Sequence, residues 1–174
     1  IDSIAVVNHT NHWVYDTDFG YQSLKPLPAP LRACYEDTPD SWVLQNRYVK
    51  NNFYEYMVSN KVLACSFKVV NNGVIIVKIN YEDFRSAFSA FSPIADFYIV
   101  HNGKVLYDKT DENIDRSADI YPFFDALTQD EGNIGYQQDG RGYRGAYIRS
   151  KEFGWYYVLS GEAALSRNNF FAGM

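Results

Sequence analysis

What the chain lacks narrows it first. Its uninterrupted apolar runs are short, such as Val74-Ile75-Ile76-Val77, against the roughly 20 residues that a membrane-spanning helix needs. It has no Lys/Arg cluster, and a net charge of −5 offers no basic face to a nucleic-acid backbone. Cysteine is scarce: Cys34 and Cys65 are too few for a disulfide-built miniprotein. They read as free thiols, small apolar residues with Cys65 on a strand and Cys34 in a loop, and a single bridge is the alternative. Histidine numbers three, His9, His12 and His101, each in or beside a turn, where the expectation is an exposed side chain rather than a metal ligand. No Gly-x-Ser-x-Gly elbow, His-Glu-x-x-His pair, NTPase phosphate loop or dinucleotide glycine fingerprint occurs. Acidic pairs such as Glu82-Asp83 and Asp130-Glu131 sit at a helix start and a turn, where carboxylates are ordinary. No nucleophile, base and orienting group can be assembled from these residues, so neither catalysis, a metal nor a cofactor is expected. The chain also shows no leader peptide and opens on Ile1, which reads as a processed or excised piece with any membrane segment outside it.

What is abundant is aromatic: 15 Tyr and 12 Phe among 174 residues. Tyr combines an apolar body with a polar tip, so it suits strands, cores and pockets alike. A length of 174 residues accommodates one ordinary domain or two small ones, and an internal repeat favours two. Residues 1–8 followed by 12–18 match residues 94–101 followed by 104–111, each reading as strand, turn, strand. The second strands end in Tyr15-Asp16-Thr17-Asp18 and in Tyr107-Asp108-Lys109-Thr110-Asp111. The second turn, Asn102-Gly103, is a strong two-residue hairpin signal. Residues 62–70 and 74–79, broken at Asn71-Asn72-Gly73, parallel residues 143–150 and 155–159, broken before Gly154. Gly140-Arg141-Gly142-Tyr143-Arg144-Gly145 reads as a turn entering a strand.

Helices are expected between the hairpins. Asn80 caps one that carries Phe84, Ala87, Phe88 and Phe91 at helical spacing and stops at Ser92-Pro93. Thr38 before Pro39 starts another, running through Trp42 and Arg47. Tyr121-Pro122 opens a third, ending near Thr128. The fold class is therefore α+β, with antiparallel sheets and flanking helices.

Three stretches carry a family resemblance: Gly73-Val-Ile-Ile-Val-Lys-Ile-Asn80 leading into the 81–91 helix, Ala95-Asp-Phe-Tyr-Ile-Val-His-Asn-Gly-Lys-Val-Leu106, and Phe153-Gly-Trp-Tyr-Tyr-Val158. Their order and repetition resemble the double Cache (PAS-like) extracellular sensor domains of bacterial chemoreceptors, sensor histidine kinases and arabinose-regulator-type membrane regulators. The resemblance implies two tandem Cache modules: residues 1–80 membrane-distal, with the family's long first helix missing, and 81–168 membrane-proximal. A short helix at 161–167 and a tail at 169–174 would then lead toward a transmembrane segment. It further implies an extracytoplasmic place at the cell membrane, a small-molecule ligand, no nucleic acid, and leaves a homodimer open.

The candidate ligand-binding residues lie in the distal module. Arg47, Trp42 and Tyr48 share the expected middle helix, Tyr54 follows it, and Tyr15 and Tyr107 occupy matching second-strand positions. An arginine in an aromatic cleft grips a carboxylate through paired charge-assisted hydrogen bonds, and aromatic walls cover an apolar group or a sugar face. Amino-acid-binding Cache domains show an Arg-Trp-x-Tyr run; Arg47-Tyr48-Val49-Lys50 keeps the arginine and departs at the other two positions. Tyr143 and Tyr147 form a lesser candidate pair on one strand face of the second module. The competing reading is a protein-interaction or assembly module with no small-molecule pocket.

Overall fold

A computed structural model of the chain describes residues 1–37, 41–89 and 95–163. The chain divides into two compact units, Ile1–Ser86 and Ala87–Met174. The first holds strands β1 (Ser3–Asn8), β2 (Trp13–Asp16) and β3 (Gly20–Ser23), helix α1 (Ala29–Glu36), then β4 (Val43–Lys50), β5 (Tyr56–Val69) and β6 (Gly73–Asn80). Helix α2 (Tyr81–Phe88) follows and contains the division between the units. The second holds β7 (Asp96–His101), β8 (Lys104–Tyr107), β9 (Glu131–Gln138), β10 (Arg141–Arg149) and β11 (Tyr156–Glu162). All strand pairs are antiparallel, and the fold is α+β as expected.

The sheets run β3-β2-β1-β6-β5-β4 and β8-β7-β11-β10-β9. Leaving out the edge strand β3, both follow one order: second, first, fifth, fourth, third. The turns explain the hairpins. Asn71 and Asn72 (φ 60° and 56°), Asn102 and Gly103 (φ 48° and 72°), and Asp139 and Gly140 (φ 50° and 75°) place consecutive left-handed residues between paired strands, the backbone twist that suits a tight hairpin.

The helix expectations fared unevenly. Asn80 caps α2 as expected, its Oδ1 accepting from the amides of Glu82 (2.9 Å) and Asp83 (3.3 Å). The expected helix through Trp42 and Arg47 is instead a strand, β4, preceded by Trp42. Long-range pairing decides this: all eight β4 residues pair with β5, and β4 is half-buried at every position but its last, so no apolar face shows in the sequence. The actual helix lies earlier, where Pro28 and Pro30 open α1, the position at which proline's fixed φ is favourable. Cys34 is thus helical rather than in a loop, Cys65 is on β5, and both are free thiols. In place of the third helix expected from Tyr121 to about Thr128 stands a single 3-10 turn, Phe124–Ala126, with another, Ala118–Ile120, just before it. The Thr38-Pro39 start, Phe91, the Ser92-Pro93 stop and the 169–174 tail lie outside the described residues, as does most of the 161–167 helix.

In the first unit α1 buries Leu31 and Tyr35 against Ala5, Val7, Val14, Val74 and Ile76. The free end of the β4–β5 hairpin reaches across to the far side of the sheet. Phe19 meets Tyr56 edge-on at 5.5 Å, and Tyr56 donates to Gln22 Oε1 on β3. A register shift between Arg47 and Tyr48 marks the bend. In the second unit Tyr98, Val100, Phe123, Ile134, Tyr147 and Val158 form the core.

His101 corrects the expectation of exposed turn histidines. It is buried, with Nδ1 3.2 Å from the Gly154 carbonyl. The carbonyl can only accept, so Nδ1 carries the proton, and Nε2 is buried without a hydrogen-bond partner among the described residues. Burial pushes the His101 pKa below its ordinary value, and Arg149 lowers it further. The unfolded chain therefore takes up a proton at about pH 6.5 that the folded chain resists. Stability is expected to be full above that pH and to fall from about pH 6.5 down to the depressed folded value. Urea midpoints of wild type and His101→Gln at pH 7.5 and 5.5 check this: the wild type should lose more on acidification, and equal losses would remove His101 from the account.

Candidate ligand-binding site

The candidate site is built on the sequence repeat Tyr-Asp. Asp16 ends β2 on the core side, fully buried. Its Oδ1 accepts the amide of Asp18 at 2.8 Å, and its Oδ2 accepts from Tyr35 Oη (2.9 Å) and Lys78 Nζ (2.7 Å). Lys78 also lies over the Tyr35 ring, 5.0 Å from its centroid. Burial first, then the Asp16 carboxylate, drive the Tyr35 hydroxyl pKa far up, so it stays a donor. The second unit repeats the device. Asp108 is buried, and accepts from the Thr110 amide, from Asn113 Nδ2 at 2.7 Å and from Tyr121 Oη at 2.5 Å.

From Asp16 the polar network runs outward through Asp18 to Arg47. Arg47 Nη2 lies 3.2 Å from both Asp18 oxygens, and its Nε is 3.1 Å from Asp2 Oδ2, an ion pair without hydrogen-bond geometry. Asp18, Phe19, Arg47, Val49 and Lys50 line a recess of about 320 Å³. Both signs of charge and one aromatic ring thus face a small open space, backed by the buried Asp16–Lys78 pair.

The other sequence candidates do not join Arg47 there. Tyr48 is half-buried against the first core, Trp42 is half-buried ahead of β4, and Tyr54 is exposed in the β4–β5 turn at φ 62°. Tyr15 is exposed on the sheet face opposite Asp16. The residues that sequence reasoning passed over are Asp16, Asp18, Phe19, Tyr35, Lys50 and Lys78. The repeated Tyr-Asp run was the signal for the first two; nothing local marks the others, which register and chain curvature bring in. Tyr143 and Tyr147 share a face as expected, Tyr143 stacking on Tyr136 and Tyr147 buried in the core. Among the described residues no group of three or more His, Cys, Asp or Glu is placed to hold a metal ion, and no helix is long and apolar enough to cross a membrane.

No protein-family profile matches the chain, and no curated protein matches its sequence. Solved structures do match. The ligand-binding domain of the Pseudomonas fluorescens chemoreceptor CtaA, in complex with L-isoleucine, superposes with a TM-score of 0.57 at 15% identity, over 95% of this chain and 70% of that one. The ligand-binding domain of the Pseudomonas aeruginosa amino acid chemoreceptor PctB, in complex with L-Arg, gives 0.56 at 15% identity, over 95% and 68%. The extracellular domain of rpHK1S-Z16, described as a histidine kinase, gives 0.57 at 14% identity, over 95% and 72%. The likeness is one of fold. It places this α+β chain among the architectures of receptor ligand-binding domains.

Proposed function

We propose that the chain is the extracytoplasmic ligand-sensing input domain of a bacterial transmembrane signalling receptor, built of two tandem Cache modules. It binds a small carboxylate-bearing ligand in the first. The observation that carries this reading is the recess where Arg47 and Lys50 face Asp18. Arginine offers a carboxylate two parallel hydrogen bonds, and Asp18 offers an ammonium group its counter-charge, so an α-amino acid satisfies both ends. Two of the fold neighbours are chemoreceptor domains holding amino acids, which supports that ligand class. Binding signals only if the ligand favours one arrangement of the domain over another; the Arg47–Asp18 and Arg47–Asp2 pairs are the contacts a ligand carboxylate would exchange.

A thermal-shift screen against amino acids, organic acids and sugars tests the reading. A ligand at 100 times its Kd stabilises the folded chain by about 2.7 kcal/mol. Arg47→Ala should abolish the rise in melting temperature measured from that variant's own baseline. A full panel without a shift would overturn the proposal.

The interaction-module alternative rests on a separate observation. Register aligns Tyr21, Tyr15, Val6, Ile75 and Phe67 in one row on the face opposite Asp16, and Tyr15, Tyr21 and Phe67 are exposed. That row is apolar and open to solvent at these three positions, the form of a surface that meets another surface.

A further inference from the structure

The recess at Arg47 carries two cations whose circumstances differ. Arg47 is engaged twice, by Asp18 at 3.2 Å and by Asp2 at 3.1 Å. Lys50, on the same rim, forms no ion pair among the described residues. Its ammonium lies instead over the Tyr56 ring, 5.0 Å from the centroid.

That ring is held in place. Tyr56 is the strand partner of Lys50 across the β4–β5 hairpin, its hydroxyl donates to Gln22 on β3, and its edge meets Phe19 at 5.5 Å. A fixed ring keeps the ammonium beside the recess, while the exposure of Lys50 leaves it open to a ligand. Phe19 and Val49, both half-buried, line the same recess. They offer apolar contact to the methylenes of a ligand whose charged groups lie at its two ends.

The two cations also differ in what a ligand carboxylate must displace. At Arg47 it replaces a protein carboxylate, so the exchange is close to even. At Lys50 it replaces only a ring face, and the hold of an exposed ring on an ammonium is weaker than a charge-assisted hydrogen bond. The larger gain therefore comes from a second carboxylate.

We propose that the recess selects an α-amino dicarboxylic acid over a neutral amino acid, with Lys50 binding the second carboxylate. This rests on the amino-acid reading of the recess, in which Arg47 takes the α-carboxylate and Asp18 the ammonium group. An amide in place of the second carboxylate keeps the ligand's shape and removes its charge, so acid–amide pairs isolate what Lys50 contributes.

Titration calorimetry of the chain with L-aspartate, L-asparagine, L-glutamate and L-glutamine, at matched pH and ionic strength, tests this. At least one acid should bind about tenfold tighter than its own amide, the difference that a hydrogen bond to a charged group typically makes. Lys50→Met should erase that preference, and Lys50→Arg, which keeps the charge, should retain most of it. An amide that binds as tightly as its acid, or a preference undiminished in Lys50→Met, would remove Lys50 from this role and leave the amino-acid reading standing. Failure of all four to bind would overturn the dicarboxylic acid as ligand, and the wider thermal-shift panel then decides separately whether the recess takes any other amino acid.

Discussion

Replacing Lys78 with methionine is expected to destabilise the first unit by about 3–5 kcal/mol. Lys78 is 8% exposed, and its ammonium lies 2.7 Å from Asp16, whose side chain is 0% exposed. Methionine matches the length of the stem but leaves a carboxylate buried without its cation, and Tyr35 and the Asp18 amide, its remaining donors, do not neutralise it. Much of the loss is the desolvation of the orphaned charge rather than the worth of the pair. The double variant Asp16→Asn/Lys78→Met should therefore recover at least half of it, because both charges are gone and the asparagine oxygen can still accept the Asp18 amide. Urea unfolding of both single variants and the double variant gives the coupling directly. A Lys78→Met loss below about 1 kcal/mol would mean that water reaches Asp16 and that the pair is not buried as described.

Gly145→Ala is the second large effect. Gly145 pairs with Ser160 across β10 and β11 and with Ile134 across β10 and β9, in the middle of the second sheet. The added methyl would overlap backbone atoms, Leu159 O and Ser160 Cα, which cannot rotate aside as a side-chain tip could. The strands must part instead. Overpacking typically costs about 1–3 kcal/mol, and obstruction by central backbone puts this case at the upper end, about 3 kcal/mol. Hydrogen exchange localises the effect: faster exchange should concentrate on the amides joining β10 to β11, with the first unit unchanged. Exchange unchanged along β10 would show that the strands already sit farther apart there.

How much of this was legible without coordinates can be followed element by element. The four strands of each unit that carry alternating or β-branched apolar residues, and the turns at Asn71-Asn72 and Asn102-Gly103, are local signals, and the hairpins formed where they stood. The strands that escaped detection are sheet-edge strands: β3, β4 and β9. An edge strand is paired on one side only, so its sequence is free to be polar, as in Glu131–Gln138, or half-buried throughout, as in Val43–Lys50. The Asp139-Gly140 turn that announces β9 was present in the sequence but was preceded by too little apolar alternation to be read as a hairpin.

The candidate site divides the same way. Arg47 was visible as a residue type, and it does line a recess; its placement on a helix beside Trp42 and Tyr48 was not correct, since the segment is a strand, Trp42 lies ahead of it, and Tyr48 packs against the first core. Asp16 and Asp108 were visible as a repeated Tyr-Asp, though not as buried acceptors for Tyr35 and Tyr121. The sequence by itself determined the α+β class, the repeat, the hairpins with their turns and the cap of α2, because each depends on residues within a few positions of one another. Only the tertiary structure decided that β4 is a strand, that Lys78 neutralises Asp16 from 62 residues away, and that Asp18 and Phe19 meet Arg47 and Lys50 in one recess. Those depend on sheet register and chain curvature, where the free energy comes from pairing and burial between distant segments, and no local pattern encodes which distant segment arrives.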